Sequence, residues 1–282
     1  MVLPHASHAE RDPPGTLIGL ATPQSSMTDA DTAAVEAAAR KLADAETAVA
    51  LTGAGVSTAS GIPDFRSEGG IWDQFDPEEF RYDRFRADPE GFWDRRTDLH
   101  EAVYGDDVEP NAAHEALATL EGIGVLDAVI TQNIDGLHRA AGSETVVELH
   151  GNAAWVVCDS CGQRRDAGPV HERVADGELP PRCSVCGGVL KPGVVLFGEE
   201  LPQAPFQHAR RLAREADAFL VAGSSLAVEP AASLPGTASR TGATLVIVNF
   251  DGTRYSASAE YEFRADVTEI LPLLADRIDG KT

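Results

Sequence analysis

Three groups of residues in this sequence carry types and spacings suited to chemistry. The first runs from Gly53 to Arg66: Gly-Ala-Gly-Val-Ser-Thr-Ala-Ser-Gly-Ile-Pro-Asp-Phe-Arg. It follows the apolar run Ala48-Val49-Ala50-Leu51, which reads as a buried strand. A strand that empties into Gly-x-Gly brings backbone N–H groups close to a pyrophosphate. The third glycine, Gly61, arrives late, and Ile-Pro-Asp-Phe-Arg follows at once. A plain dinucleotide clamp has no use for that second half, which points to a cofactor held in order to be broken at one end. The second group is Cys158-x-x-Cys161 and Cys183-x-x-Cys186. Two such knuckles supply four thiolates to one tetrahedral zinc and leave no open position, so the ion is expected to be structural. The third is His150, which ends the apolar run Val146-Val147-Glu148-Leu149 and is followed by Gly151. With an ordinary pKa near 6.5, a histidine there can take a proton from a hydroxyl at neutral pH.

The elements that must position these groups alternate. A helix is expected from about 28 to 45, with Val35, Ala38, Ala39 and Leu42 on one face. Strands are expected at 48–51, 126–130, 146–149, 194–197, 218–221 and 244–248, with helices at 111–120 (capped by Asn111), 203–215 and 267–277. Strands alternating with helices imply an α/β fold: a Rossmann-like parallel sheet with helices on both faces. Ligands in such sheets sit beyond the carboxyl ends of the strands. Five of these ends are polar or glycine-rich: Gly53-Ala54-Gly55, Gln132-Asn133-Ile134-Asp135, His150-Gly151, Gly223-Ser224-Ser225 and Asn249. Together they predict one dinucleotide crevice. The acid expected about 20 residues past the glycines would fall near Trp72-Asp73, where no strand is visible. Asn249 is the better candidate for the adenosine ribose, which counts against a dehydrogenase.

Composition bounds the rest. Forty-five acids face 23 bases for a net charge of −22, and the only lysines are Lys41, Lys191 and Lys281. This balance suits a salt-adapted protein from a cytoplasm with molar salt, because at about 1 M the Debye length falls to about 3 Å. No basic stripe offers itself to nucleic acid. No apolar run approaches the roughly 20 residues of a membrane span, and no secretory signal is visible. A cytoplasmic protein, with monomer as the favoured state, is expected. Residues 1–26 read as a disordered tail or as sequence ahead of a true start at Met27. The aromatic stretch at about 70–105 reads as a small helical core.

These motifs, in this order, resemble the sirtuins, NAD-dependent protein deacylases. The resemblance covers about residues 30–278 and adds Leu149-His150-Gly151 and Lys191-Pro192-Gly193-Val194-Val195-Leu196-Phe197-Gly198-Glu199 to the segments above. It implies a Rossmann-like domain in three pieces (27–66, 111–153 and 191–282), interrupted by a smaller domain made of a helical module (67–110) and a zinc-ribbon module (154–190). It implies NAD as co-substrate and one structural zinc. Carried over by position, Gly53, Ala54, Gly55, Ser57 and Thr58 belong to the pyrophosphate side. Asp64, Phe65 and Arg66 belong to the loop over the nicotinamide ribose. Ile62, Ile134 and Asp135 line the nicotinamide pocket, and Gln132 and Asn133 contact the ribose. Gly223, Ser224, Ser225, Asn249, Asp266 and Val267 face the adenosine half, and His150 is the general base.

The implied reaction starts with attack of the acyl oxygen of an N-acyl-lysine on the ribose, expelling nicotinamide. His150 then assists attack of the ribose 2′-hydroxyl on the resulting imidate, and water completes release of lysine and acyl-ADP-ribose. Val195, Phe197, Gly198 and Glu199 would form an exposed strand that pairs with the substrate peptide. The acidic charge favours basic segments around the acyl-lysine. Members that prefer acidic acyl chains carry Tyr-x-x-Arg in the helical module. The stretch matched to it here, Thr97-Asp98-Leu99-His100, has neither residue, so a neutral acyl chain such as acetyl is expected. A mono-ADP-ribosyltransferase sharing the first step, and a non-catalytic NAD- and zinc-binding module, are the alternatives.

Overall fold

The computed structural model describes residues 29–65, 67, 69–103 and 108–280. The expected tail at 1–26 and Arg66 lie outside the described residues. The chain begins with α1 (Asp29–Ala43) and β1 (Ala48–Thr52), then crosses a short helical module of α2 (Ile71–Gln74), α3 (Tyr82–Ala87) and α4 (Pro89–Val103). It returns through α5 (Ala112–Gly122), β2 (Ala128–Thr131), α6 (Leu137–Ala140) and β3 (Val146–Glu148). A second excursion holds β4 (Gly151–Cys158), β5 (Arg164–Asp166), α7 (Gly168–Ala175) and β6 (Leu190–Val194). The remainder is α8 (Gln203–Glu215), β7 (Ala218–Ala222), α9 (Leu234–Thr241), β8 (Thr244–Val248), β9 (Tyr261–Phe263) and α10 (Val267–Asp279).

The large sheet has the order β3-β2-β1-β7-β8-β9, and its pairs are parallel. Because side chains alternate across a strand, β1 sends Ala48 and Ala50 to one face and Val49 and Leu51 to the other. Strands β7 and β8 alternate in the same way, with Leu220 and Val246 on the first face and Phe219 and Ile247 on the second. Apolar residues of α1, α5 and α10 cover the first face; those of α8 and α9 cover the second. Strands buried on both faces read as continuous apolar runs, which is why they were visible in the sequence.

The two excursions share a third core. Phe80, Phe85, Phe92 and Trp93 of the helical module pack with Val156, Val170 and Leu190 of the small antiparallel sheet β5-β4-β6 and its helix. Trp93 Nε1–H donates to Leu190 O at 2.8 Å, which satisfies the one polar atom of a fully buried ring. Strands β4 and β6 overrun the expected borders of the zinc module, at Gly151 and Val194. The expected strand at 194–197 is displaced: β6 ends at Val194 and the chain bends from there to Glu199. Among the described residues, no helix is long and apolar enough to cross a membrane.

Candidate active site

The crevice lies where the strand ends meet, with a volume of about 530 Å³. Its floor is two glycine turns pressed together. Gly53 N–H donates to Ala222 O at 3.2 Å and Gly55 N–H to Gly223 O at 2.9 Å. A Cβ at Gly55 would lie 2.9 Å from Gly223 Cα, and one at Gly223, whose φ is +57°, would lie 2.4 Å from Val56 N. Glycine is therefore required on both sides for the ends of β1 and β7 to approach.

Around this floor the crevice gathers Gly53, Ala54, Gly55, Thr58, Asp64 and Phe65, then Gln132, Asn133, Ile134 and His150. Gly223, Ser224, Ser225 and Asn249 complete its far end, and Val195 and Phe197 stand on its wall. The five strand ends singled out in the sequence thus converge. Gln132 Nε2–H donates to Ser224 Oγ at 2.9 Å and joins two of those ends directly.

His150 is held by its backbone neighbour across the sheet. Its Nδ1 lies 2.9 Å from Gln132 O, and a carbonyl can only accept, so Nδ1 carries the proton. Nε2 is then the free lone pair of a neutral ring. Burial lowers the His150 pKa from 6.5, and the bond to Gln132 O offsets part of that. A neutral imidazole with one nitrogen fixed and the other open is the form a general base requires.

A buried polar layer lies beneath. Ser57 Oγ–H donates to Asp135 Oδ2 at 2.7 Å and accepts from Asn133 Nδ2 at 3.0 Å. Asp135 also accepts Leu137 N–H at 2.9 Å at the start of α6. His114 Nδ1 accepts from Asn111 N–H at 3.3 Å, so its Nε2 carries the proton and points at Ser57 Oγ, 3.4 Å away. His138 Nε2 meets Thr52 Oγ1 at 2.8 Å, and Thr52 Oγ1–H donates to Thr131 Oγ1 at 2.9 Å. Burial pushes the pKa of His114 down to about 4 and that of His138 to about 3, so both rings are neutral at pH 7. Such a network is worth most when its members satisfy one another, and here it fixes the strand ends in register.

Several expected site residues stand elsewhere. Ser57, buried, and Asp135, half-buried, belong to this polar layer and do not line the crevice. Ile62 is 7% exposed and packs in the third core. Asp266 caps α10, accepting from Thr268 N–H at 2.8 Å, and Val267 is buried in the first core. Gly198 and Glu199 are off the lining, and the carboxylate of Glu199 faces Lys191. The segment 195–199 is not a free strand. Phe197 N–H donates to Phe80 O at 3.4 Å, and Phe197 O accepts from Tyr82 N–H at 2.9 Å. From the stretch matched to an acyl-selecting motif, Leu99 lines the crevice and Thr97, Asp98 and His100 do not. Arg96, 6% exposed, lines it instead.

Sequence reasoning missed Ser67, Trp72, Phe80, Arg96, Ala227, Val228, Phe250 and Asp251 on the lining. In the sequence the aromatic pair reads with the helical core, and both residues do pack there as well. Phe250 and Asp251 directly follow Asn249, and that adjacency was the available signal. Asn111 shows its cap in the sequence, but its Nδ2 also donates to Val56 O at 2.9 Å, a contact only the fold creates.

The four cysteines form a separate centre on the small sheet. Their sulfur atoms all lie within 4.8 Å of one another, with Cys158 to Cys186 at 3.5 Å and Cys161 to Cys183 at 3.9 Å. Zinc–thiolate bonds of about 2.3 Å in a tetrahedron place sulfurs about 3.8 Å apart, whereas a disulfide needs about 2.05 Å. The Val185 and Cys186 amides draw the Cys183 pKa down to about 7, towards the thiolate a metal needs. The set fits one structural zinc.

Residues 53–230 match the Sir2 family. An NAD-dependent protein deacetylase of Haloarcula marismortui is 58% identical, over 89% of this chain and 96% of its own. The NAD-dependent protein deacetylase 1 of Pyrobaculum aerophilum is 49% identical, over 82% and 90%. A solved structure described as "Sir2-p53 peptide-NAD+" superposes with a TM-score of 0.77 at 37% identity, over 86% of this chain and 97% of its own. Identity of this extent, along a chain whose strand ends build a single crevice, makes the protein a member of the Sir2 family.

Proposed function

We propose that this protein is an NAD-dependent protein-lysine deacetylase that releases nicotinamide, O-acyl-ADP-ribose and free lysine. The observation that carries the reading is His150, neutral and anchored at Nδ1 by Gln132 O, opening Nε2 to the crevice built by the glycine turns. NAD, when bound, supplies a ribose carbon that loses nicotinamide and takes up the acyl oxygen. The glycine floor of Gly53, Ala54 and Gly55, with Thr58, receives the pyrophosphate. Ser224, Ser225 and Asn249 take the adenosine half. Asp64, Phe65 and Ile134 line the nicotinamide end, where Phe65 rests on Trp72 with ring centroids 5.4 Å apart and excludes water. Asp135 acts from behind, holding Ser57 and the start of α6 in place. His150 Nε2 receives the proton of the ribose 2′-hydroxyl. The apolar wall from Val194 to Phe197 borders the acyl-lysine.

The finer reading is of a salt-adapted cytoplasmic enzyme that prefers basic segments around the modified lysine, and it rests on the net charge of −22. The test is an acetyl-lysine peptide with NAD in molar salt, following nicotinamide release and peptide mass together. His150→Ala is expected to slow deacetylation by about 10²–10⁴-fold while NAD binding persists. Deacetylation at the wild-type rate in that variant, or nicotinamide release with ADP-ribose transferred to protein instead, would sink the reading.

A further inference from the structure

Lysine is scarce in this chain, and among the described residues Lys191 is the buried one, at 9% exposure. Lys41, by contrast, sits on the surface beside Glu260. An ammonium taken out of water must recover its lost hydrogen bonds. Lys191 Nζ–H donates to Val194 O at 2.6 Å and meets Glu199 Oε2 at 3.0 Å. The same carboxylate oxygen accepts Leu196 N–H at 2.9 Å, and Glu199 N–H returns to Leu196 O at 3.0 Å. These four bonds close residues 194–199 into a bend directly after β6.

The bend is also tied on both sides. Val195 N–H donates to His150 O at 2.8 Å, and Phe197 shares its two backbone bonds with Phe80 and Tyr82. Its apolar members Val194, Val195, Leu196 and Phe197 stand on the crevice. A buried charge pair is a poor source of bare stability, since apolar residues of similar volume often do as well. What a pair at this point provides is a fixed geometry. Neither partner belongs to the glycine floor or to the Ser224–Asn249 end, which rest on the other sheet.

We propose that Lys191 and Glu199 are positioning residues for the acyl-peptide, setting the wall from Val194 to Phe197 at its distance from His150. The inference rests on the deacetylase reading. Its experiment compares wild type with Lys191→Met and Glu199→Gln in molar salt. The KM for an acetyl-lysine peptide is read from steady-state rates and the Kd for NAD from calorimetry. Lys191→Met leaves Glu199 without its countercharge and is expected to raise the peptide KM about tenfold or more, with the NAD Kd within about twofold. Glu199→Gln keeps an acceptor for Leu196 N–H and is expected to raise the peptide KM about threefold. It carries the same comparison if Lys191→Met does not fold. The increase is expected to be nearly equal at about 1 M and about 3 M salt, because a pair whose side chains are 11% and 26% exposed is screened little by added ions.

Peptide KM values unchanged in both variants would overturn the proposal. So would peptide KM and NAD Kd worsening by one common factor, which would mark a general loosening. A wild-type protein that turns over no acetyl-peptide refutes the deacetylase reading itself, and the inference with it.

Discussion

Gly61 and Gly223 both occupy the left-handed region, with φ of +86° and +57°, yet a methyl group would meet different surroundings at each. Nothing lies within 4 Å of a Cβ built at Gly61. At Gly223 that Cβ would fall 2.4 Å from Val56 N and 2.6 Å from Gly55 C, and backbone cannot rotate aside as a flexible side chain does. Gly61→Ala should therefore cost only the left-handed penalty, about 1–2 kcal/mol. Gly223→Ala should lose that plus about 1–3 kcal/mol of overpacking. A total of about 2–5 kcal/mol is a large part of the 5–15 kcal/mol, or about that, which holds a domain folded. Because Gly55 N–H is bonded to Gly223 O, the displaced backbone also carries the proposed pyrophosphate floor with it. Denaturant titration in molar salt should rank the variants in that order. Calorimetry should show NAD affinity weakened about tenfold or more in Gly223→Ala, a loss of about 1.4 kcal/mol. Equal stability losses within about 0.5 kcal/mol, or a wild-type NAD affinity in Gly223→Ala, would refute the account of the two pressed turns.

Three further outcomes are expected. The folded-state pKa values of His114 and His138, about 4 and about 3, lie below the ordinary 6.5, so the unfolded chain binds protons first on acidification. Stability present above pH 6.5 is then lost as pH falls, by about 2 kcal/mol per histidine at pH 5; an unfolding free energy equal at pH 7 and 5 would contradict this. Zinc analysis should find one ion per chain, and Cys183→Ser or a strong chelator should unfold the small sheet, since such sites carry about 10–16 kcal/mol of apparent binding energy; unchanged circular dichroism after complete metal removal would count against it. With a net charge of −22, the melting temperature should fall steeply between molar salt and dilute buffer, and an equal value in both would remove the salt-adapted reading.

What the sequence disclosed follows from how local each signal is. Ala48–Leu51 and Ala218–Val221 were legible because strands covered on both faces are unbroken apolar runs, and polar residues mark where those runs end. The cysteines were legible because knuckle spacing is a local geometry. The bend at 195–199 was not, because an apolar run alone does not disclose that Lys191 and Glu199 close on each other. His114 was hidden for the same reason: its Nε2 meets Ser57, which arrives from just past β1, 57 residues earlier in the chain. Asp266 could have been placed from sequence, since Asp followed two residues later by Thr at the start of an apolar helix is a cap, and the structure uses it as one.

The strand order has a consequence for how the chain is made. β1 pairs with β2 and β7, and Thr47 N–H reaches Asp217 across 170 residues of sequence. During synthesis from the N-terminus, β1 must wait through both excursions before its second neighbour emerges. Until then one edge of a strand that is apolar from Ala48 to Leu51 lies open, the kind of surface that recruits chaperones or aggregates. The crevice cannot exist on a partial chain either, since its lining runs from Gly53 to Asp251. Refolding is accordingly expected to be slow and governed by long-range pairing, with cofactor affinity appearing only at its last stage.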